Sequence, residues 1–127
     1  IINNKIYKIC NKIFRSIMNI NPFIEINGDI HYHLRKIYGP TNLHTDEIRA
    51  TMNNYFDNKI RTLSVIINLN DNYEGGVFHF PKQKIKHKLK KGSAILFPPF
   101  WTHPHEVSNP STYRYTITTW GTEKIIK

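Results

Sequence analysis

Isoleucine recurs at positions 2, 6, 9, 13, 17 and 20, steps of three and four that place all six on one side of a helix. Lys5, Lys8, Lys12 and Arg15 fall between them and supply the solvated side. The spacing predicts an amphipathic helix over residues 2–19, ended by Asn21-Pro22, because the residue before a proline is pushed out of helical space. Cys10 lies on the same apolar stripe and is expected to be a packed thiol. The pattern then changes. From Asp29 to Tyr38, and again from Arg61 to Leu69, β-branched and aromatic residues dominate, which predicts strands. Asn70 to Tyr73 and Gly75-Gly76 are turn-forming. Shorter strands are expected near 77–80, 84–90, 93–97, 101–107 and 113–120. One helix followed by about seven short strands predicts a mainly β fold, a double-stranded β-helix, which is a jelly-roll, cupin-like barrel.

Length and composition fit that picture. A chain of 127 residues suits a single domain with one core. We expect one domain over 1–127, with residues 1–21 a supporting helix and about 29–120 the barrel. The first residue is Ile rather than Met, which leaves room for upstream modules. No apolar run approaches the roughly 20 residues of a membrane-spanning helix. The cations spaced through the N-terminal isoleucines argue against a signal-peptide core. The lone Cys10 has no partner for an internal disulfide, so nothing requires an oxidising compartment.

The net charge of +9 changes less than it promises. Much of it sits in the stretch Lys82 to Lys91, where lysine takes every even position while Gln83, Ile85, His87 and Leu89 take the odd ones. That alternation predicts a strand with one solvated lysine face and one partly apolar face, and lysines on such a strand discourage edge-to-edge pairing. Attraction of an acidic or phosphorylated partner is the other reading.

Candidate chemistry centres on His44-Thr45-Asp46, a second histidine further on, and Arg114. Two histidines and one carboxylate form a facial triad that fills three positions around a metal and leaves three open, the arrangement of non-haem Fe(II) oxygenases. Residues i and i+2 of a strand point the same way, so His44 and Asp46 are expected to grip one ion from one strand end. His103 and His105 compete for the distal position. His31, His33, His79 and His87 lack partners at useful spacing and are expected at the surface or in packing, with His31-Tyr32-His33 only a weak metal signal. Trp101 and Trp120 are expected to pack the barrel.

Several further elements occur in a fixed order: Tyr38-Gly39 before His44-x-Asp46, Leu69-Asn70, Tyr73-Glu74-Gly75-Gly76-Val77-Phe78, Gly92 through Phe97-Pro98, His103-Pro104-His105-Glu106, and Arg114 with Thr116. In this the chain resembles the Fe(II)- and 2-oxoglutarate-dependent dioxygenases, within them the prolyl 4-hydroxylase and lysyl hydroxylase branch. The Tyr-Glu-Gly-Gly and His-x-His-Glu blocks are most similar to lysyl hydroxylase. The match runs from about residue 30 to Trp120.

The resemblance implies that His44, Asp46 and His105 hold Fe(II). It also implies that Arg114 and Thr116 receive the far carboxylate of 2-oxoglutarate, a task suited to a permanently charged, forked donor. Tyr38 is a further co-substrate candidate, although the family's tyrosine three residues before His-x-Asp is here Thr41. Dioxygen completes the set, with ascorbate as a further candidate. The implied reaction hydroxylates an unactivated C–H bond of a peptidyl prolyl or lysyl residue, with specificity in loops such as 47–60. His103 then becomes a residue that orients a ligand or faces substrate. Members of the family that repair alkylated nucleic acid carry a second arginine six residues after the first. Here that position is Trp120, so nucleic acid is not the expected substrate. Two alternatives share the barrel. One is a hydroxylase of a small molecule. The other is a cupin-like metal enzyme without 2-oxoglutarate, which would not need Arg114 and Thr116. A non-catalytic binding module would not need the full ligand set.

Overall fold

The computed structural model of the chain describes residues 2–47 and 59–124. Within them lie one helix, α1 (Ile2–Ile20), and eight strands. These are β1 (Gly28–Ile37), β2 (Thr41–His44), β3 (Lys59–Asn68), β4 (Phe78–Phe80), β5 (Ile85–His87), β6 (Ala94–Phe97), β7 (His105–Val107) and β8 (Arg114–Lys124). They pair antiparallel into two four-stranded sheets, a major one in the order β1-β8-β3-β6 and a minor one in the order β2-β7-β4-β5. Two sheets joined by alternating crossovers make the expected double-stranded β-helix.

Strand alternation sorts the apolar side chains into two layers. On one face of the major sheet, Leu63 and Val65 of β3 meet Cys10 and Phe14 of α1, with Ile13, Ile17 and Leu96 around them. Only half of the isoleucine stripe is spent here: Ile6, Ile13 and Ile17 pack against the sheet, each burial contributing up to about 1.5–3 kcal/mol, while Ile2, Ile9 and Ile20 are exposed. Gly121 admits the helix, since a Cβ there would stand 3.0 Å from Ile26 and 3.1 Å from Phe14. The other layer, between the sheets, contains Phe78, Phe80, Leu89, Phe97 and Val107. It plugs one end of the barrel and leaves the other to polar side chains. No described helix is long and apolar enough to cross a membrane.

Three expectations change. The alternating lysine stretch is not a strand over 84–90: only Ile85–His87 pairs. Lys84 closes a turn with φ +55°, and beyond His87 the chain dives inward to bury Leu89 at 2% exposure. Its second face is not apolar cover either, because Ile85 is half exposed. The strand expected over 101–107 shrinks to His105–Val107, as Trp101 and Thr102 form a turn. Trp101 therefore stands in solvent at 67% exposure instead of packing the barrel, with the Lys82 ammonium 5.2 Å from its ring. β8, by contrast, runs on to Lys124, held by β3 on one side and β1 on the other. Most of the 47–60 loop lies outside the described residues.

Candidate metal centre and co-substrate pocket

His44 ends β2 and His105 begins β7, and the register sets them directly opposite each other. Cross-strand pairing thus joins two residues far apart in sequence, their ring centroids 4.4 Å apart. Asp46 arrives differently from the expectation. It does not share a strand face with His44, because β2 stops at His44. The chain beyond is tied down by Arg61, whose Nη1 donates to the Asp46 carbonyl at 2.8 Å. Ser64 and Trp120 donate to Asp46 Oδ2 at 2.7 and 3.2 Å. That fixes Oδ2 and leaves Oδ1 facing the histidines, 3.1 Å from His44 Nε2 and 3.6 Å from His105 Nε2.

Each histidine is oriented by a backbone carbonyl. His44 Nδ1 lies 2.7 Å from the Asn42 oxygen, and His105 Nδ1 lies 3.1 Å from the His103 oxygen. A carbonyl only accepts, so each Nδ1 carries a hydrogen and each Nε2 is turned inward, that of His44 against Asp46. Three ligand atoms, one from each of His44, Asp46 and His105, lie within 4.8 Å of one another. His103 is not among them. Its ring turns to Thr102 Oγ1 at 2.8 Å, and its part in orienting His105 runs through the backbone rather than the ring.

The ionisation states suit a metal. Burial pushes the Asp46 carboxyl up, but hydrogen bonds from His44 and Ser64, the nearby His105 and the Trp120 bond outweigh it, pulling the pKa down to about 2. Burial holds His105 low, and therefore neutral at physiological pH. His44 is shifted upward, by its Asp46 bond first, against the opposing effect of burial. A cation at Nε2 would take the place of that proton. The donor set fits a first-row divalent ion.

Below the triad, the barrel-facing side of β8 runs from Trp120 through Thr118 and Thr116 to Arg114, and all four line one pocket with the triad. Arg114 is 3% exposed, its guanidinium carbon 5.3 Å from the centre of the Phe78 ring. Burial lowers its pKa, Tyr73 opposes the shift, and Arg35 adds to it; an arginine stays charged regardless. Its Nε and Nη1, and the hydroxyls of Thr116 and Thr118, are buried without a hydrogen-bond partner among the described residues. A buried cation with idle donors beside idle hydroxyls is a fitting seat for a carboxylate. No pairing of Arg114 with Glu106 or Asp71 is seen among the described residues: Glu106 holds His79 at 2.8 Å, and Asp71 accepts from the Lys91 amide.

The motif residues prove to be the frame of this seat. Asn70 donates to the Tyr113 carbonyl at 2.9 Å and accepts from the Tyr115 amide at 2.8 Å, clamping the chain on both sides of Arg114. Gly76, with φ +63°, lets the Tyr73 ring and the Arg114 stem pass, since a Cβ there would lie 2.5 Å from Tyr73 and 3.4 Å from Arg114 Cδ.

Tyr38 does not join the pocket. Arg35 and Ile37 of β1 face the barrel with Arg114, so Lys36 faces outward. Tyr38, just past the strand, lies outside too at 71% exposure, tilted against Tyr113 at 5.4 Å. Trp120 does more than pack, because it holds the carboxylate. The sequence reading missed Ser64 and Arg61. Ser64 is a small polar residue inside the apolar run of β3, and only strand parity marks it as barrel-facing. A cavity of about 520 Å³ lies beside His79 and Glu106 and shares only Thr41 and Val107 with the smaller triad pocket, so size does not mark the chemistry here.

A jelly-roll barrel with His, Asp and His converging at its open end, above a buried arginine, has the parts of a mononuclear non-haem iron enzyme. The profile of the 2OG-Fe(II) oxygenase superfamily matches residues 32–122, and the chain belongs to that superfamily. No curated protein matches the sequence. Among solved structures, the viral collagen prolyl hydroxylase of Paramecium bursaria Chlorella virus-1, as its 2OG complex, aligns with a TM-score of 0.68 at 18% identity, over 94% of this chain and 72% of that one. The Pseudomonas putida prolyl-4-hydroxylase gives 0.62 at 22%, over 87% and 61%. The Trichoplax adhaerens prolyl hydroxylase, in complex with a hypoxia inducible factor peptide fragment, gives 0.61 at 22%, over 77% and 46%. At these identities the likeness is one of fold. The chain spans about half to three quarters of these proteins.

Proposed function

We propose that this chain is a single catalytic domain, residues 1–127, that hydroxylates a peptidyl prolyl or lysyl residue using Fe(II), 2-oxoglutarate and dioxygen. The observation that carries it is the convergence of His44 Nε2, Asp46 Oδ1 and His105 Nε2 above the partnerless donors of Arg114. In this reading His44, Asp46 and His105 hold the iron, while Arg114 and Thr116 take the far carboxylate of 2-oxoglutarate. The bound iron supplies the oxidation: one oxygen atom of O2 enters the substrate C–H bond and the other leaves in succinate, with CO2 released. The protein's own work is positional. Ser64 and Trp120 keep Asp46 to one free oxygen, the Asn42 and His103 carbonyls fix the ring tautomers, and Asn70 fixes Arg114. The buried aromatic floor of Phe78, Phe80 and Phe97 excludes water from below. Ascorbate would serve as an accessory reductant. A peptide acceptor is favoured by the fold shared with prolyl hydroxylases.

The test is iron binding and succinate release, with Asp46→Ala as the control. The variant should lose both, since two neutral imidazoles hold a labile ion poorly against water. Peptides containing proline or lysine are then screened for a mass gain of one oxygen. Undiminished iron binding by Asp46→Ala would show the triad to be misassigned. Turnover without succinate would favour a cupin-like enzyme, and oxygen gain only on a small molecule would move the substrate class.

A further inference from the structure

Arg35 is the second cation that lines the triad pocket, and no role in holding metal or co-substrate uses it. It stands opposite Thr116 on β1, the edge strand of the major sheet, with its side chain turned toward the barrel. It is exposed, and it makes no hydrogen bond or ion pair among the described residues. With Ile37 and Thr41 it also lines a second groove, an open trough of about 580 Å³ where β1 turns into β2. These three residues therefore join the reaction chamber to the outside. Lys36 and Tyr38 border the same trough, and no acidic residue lines it.

Charge balance points to what Arg35 is for. Among the groups that line the pocket, Asp46 and Arg114 would cancel against a divalent ion and a dicarboxylate co-substrate. The charge of Arg35 is left over at the entrance, where a second anion would be attracted by it. We propose that Arg35 is a specificity-determining residue whose guanidinium pairs with a carboxylate of the acceptor polypeptide lying in the β1–β2 groove, so that the enzyme selects target residues next to Asp or Glu. This rests on the proposed hydroxylase reading. An extended polypeptide suits the groove because it is an open trough along a sheet edge rather than a closed cup. Nucleic acid suits it less. Two cations, Arg35 and Lys36, line the trough, fewer than the row of phosphate contacts a nucleic-acid backbone would require.

The experiment measures binding and turnover separately. Fluorescein-labelled short peptides alternating proline with aspartate, asparagine or lysine are titrated by anisotropy against the full chain, Arg35→Ala and Arg35→Glu. The wild type should prefer the aspartate peptide by roughly tenfold over the asparagine one, and the preference should fade with added salt. Arg35→Ala should erase the preference, and Arg35→Glu should shift it to the lysine peptide. Co-substrate affinity, followed by quenching of tryptophan fluorescence, should change far less in Arg35→Ala than the peptide preference does. Three results would overturn the proposal. These are equal binding of aspartate and asparagine peptides by the wild type, a loss in 2-oxoglutarate affinity as large as the loss in peptide discrimination, or an Arg35-dependent preference for a single-stranded oligonucleotide over the aspartate peptide. Because anisotropy needs no turnover, absence of succinate release would sink the hydroxylase reading without deciding this one.

Discussion

Arg114 is the residue whose replacement should separate stability from function most cleanly. In the unliganded pocket its Nε and Nη1 are buried without partners among the described residues, and an unmet donor costs about 1–3 kcal/mol. Two such donors are offset in part by the contact with Phe78, worth about 2 kcal/mol for a desolvated pair. Methionine matches the arginine stem in length and flexibility and carries no donors. Arg114→Met should therefore stabilise the unliganded protein by about 1–3 kcal/mol, a rise of roughly 3–10 °C in melting temperature for a domain of this size. The same change removes the seat of a carboxylate. Two charge-assisted hydrogen bonds at about 1.5–3 kcal/mol each correspond to at least a hundredfold loss of 2-oxoglutarate affinity. Calorimetric melts with and without 2-oxoglutarate, under nitrogen with Fe(II), read both quantities. The wild type should gain stability from the ligand by mass action, and the variant should start higher and gain little. A variant less stable than wild type in the unliganded state would mean that the guanidinium already has partners. Unchanged ligand-induced stabilisation would mean that the co-substrate sits elsewhere.

Three further outcomes follow from particular contacts. His105→Ala should abolish iron binding, whereas His103→Ala should stay within a few fold of wild type in iron affinity, because it keeps the carbonyl that orients His105; the reverse ranking would transfer the ligand role. Gly75→Ala should destabilise the fold by more than about 2 kcal/mol in denaturant titration, since a Cβ at φ +71° would stand 2.1 Å from the Asn109 carbonyl oxygen, and a near-neutral effect would refute that close approach. Cys10, fully buried with its thiol pushed up to about 11 by burial and by Asp29, should resist a thiol reagent at pH 8 until denaturant is added; prompt labelling of the native protein would show that α1 is not seated on the major sheet.

The helix and the long strands were legible because their signal is local. Isoleucine spacing located α1 to within a residue, and runs of β-branched residues located β1 and β3. The candidate residues were legible as well, and His44, Asp46 and His105 do converge. Asp46 and His44 were nonetheless expected to meet as neighbours on one strand face. In the structure a cross-strand pair, His44 with His105, and an arginine grip on the Asp46 backbone bring the three together. Those are non-local facts that spacing does not carry. The lysine alternation misled for a related reason. Period two survives in the exposed lysines although the backbone is a turn at one end and an inward plunge at the other, because solvent tolerates lysine in any conformation. Tyr38 was drawn in by its place in a motif, whereas the parity of β1, fixed by pairing with β8, turns its neighbours Arg35 and Ile37 inward instead.

The pocket has one consistent character. Every group in it that chemistry would use is converged or buried: two imidazoles and a carboxylate face one another, and a guanidinium lies buried with donors that no described residue meets. Such arrangements persist only where surrounding structure over-determines them. Here the determinants can be named. The Asn42 and His103 carbonyls set the rings, Ser64 and Trp120 set the carboxylate, and Asn70 and the Gly75-Gly76 turn set Arg114. All of these contacts are made by the chain itself, so the fold supplies the orientation of each group. The entrance differs. Arg35 is exposed and makes no hydrogen bond or ion pair among the described residues, which leaves its guanidinium open to the proposed pairing with an acceptor carboxylate.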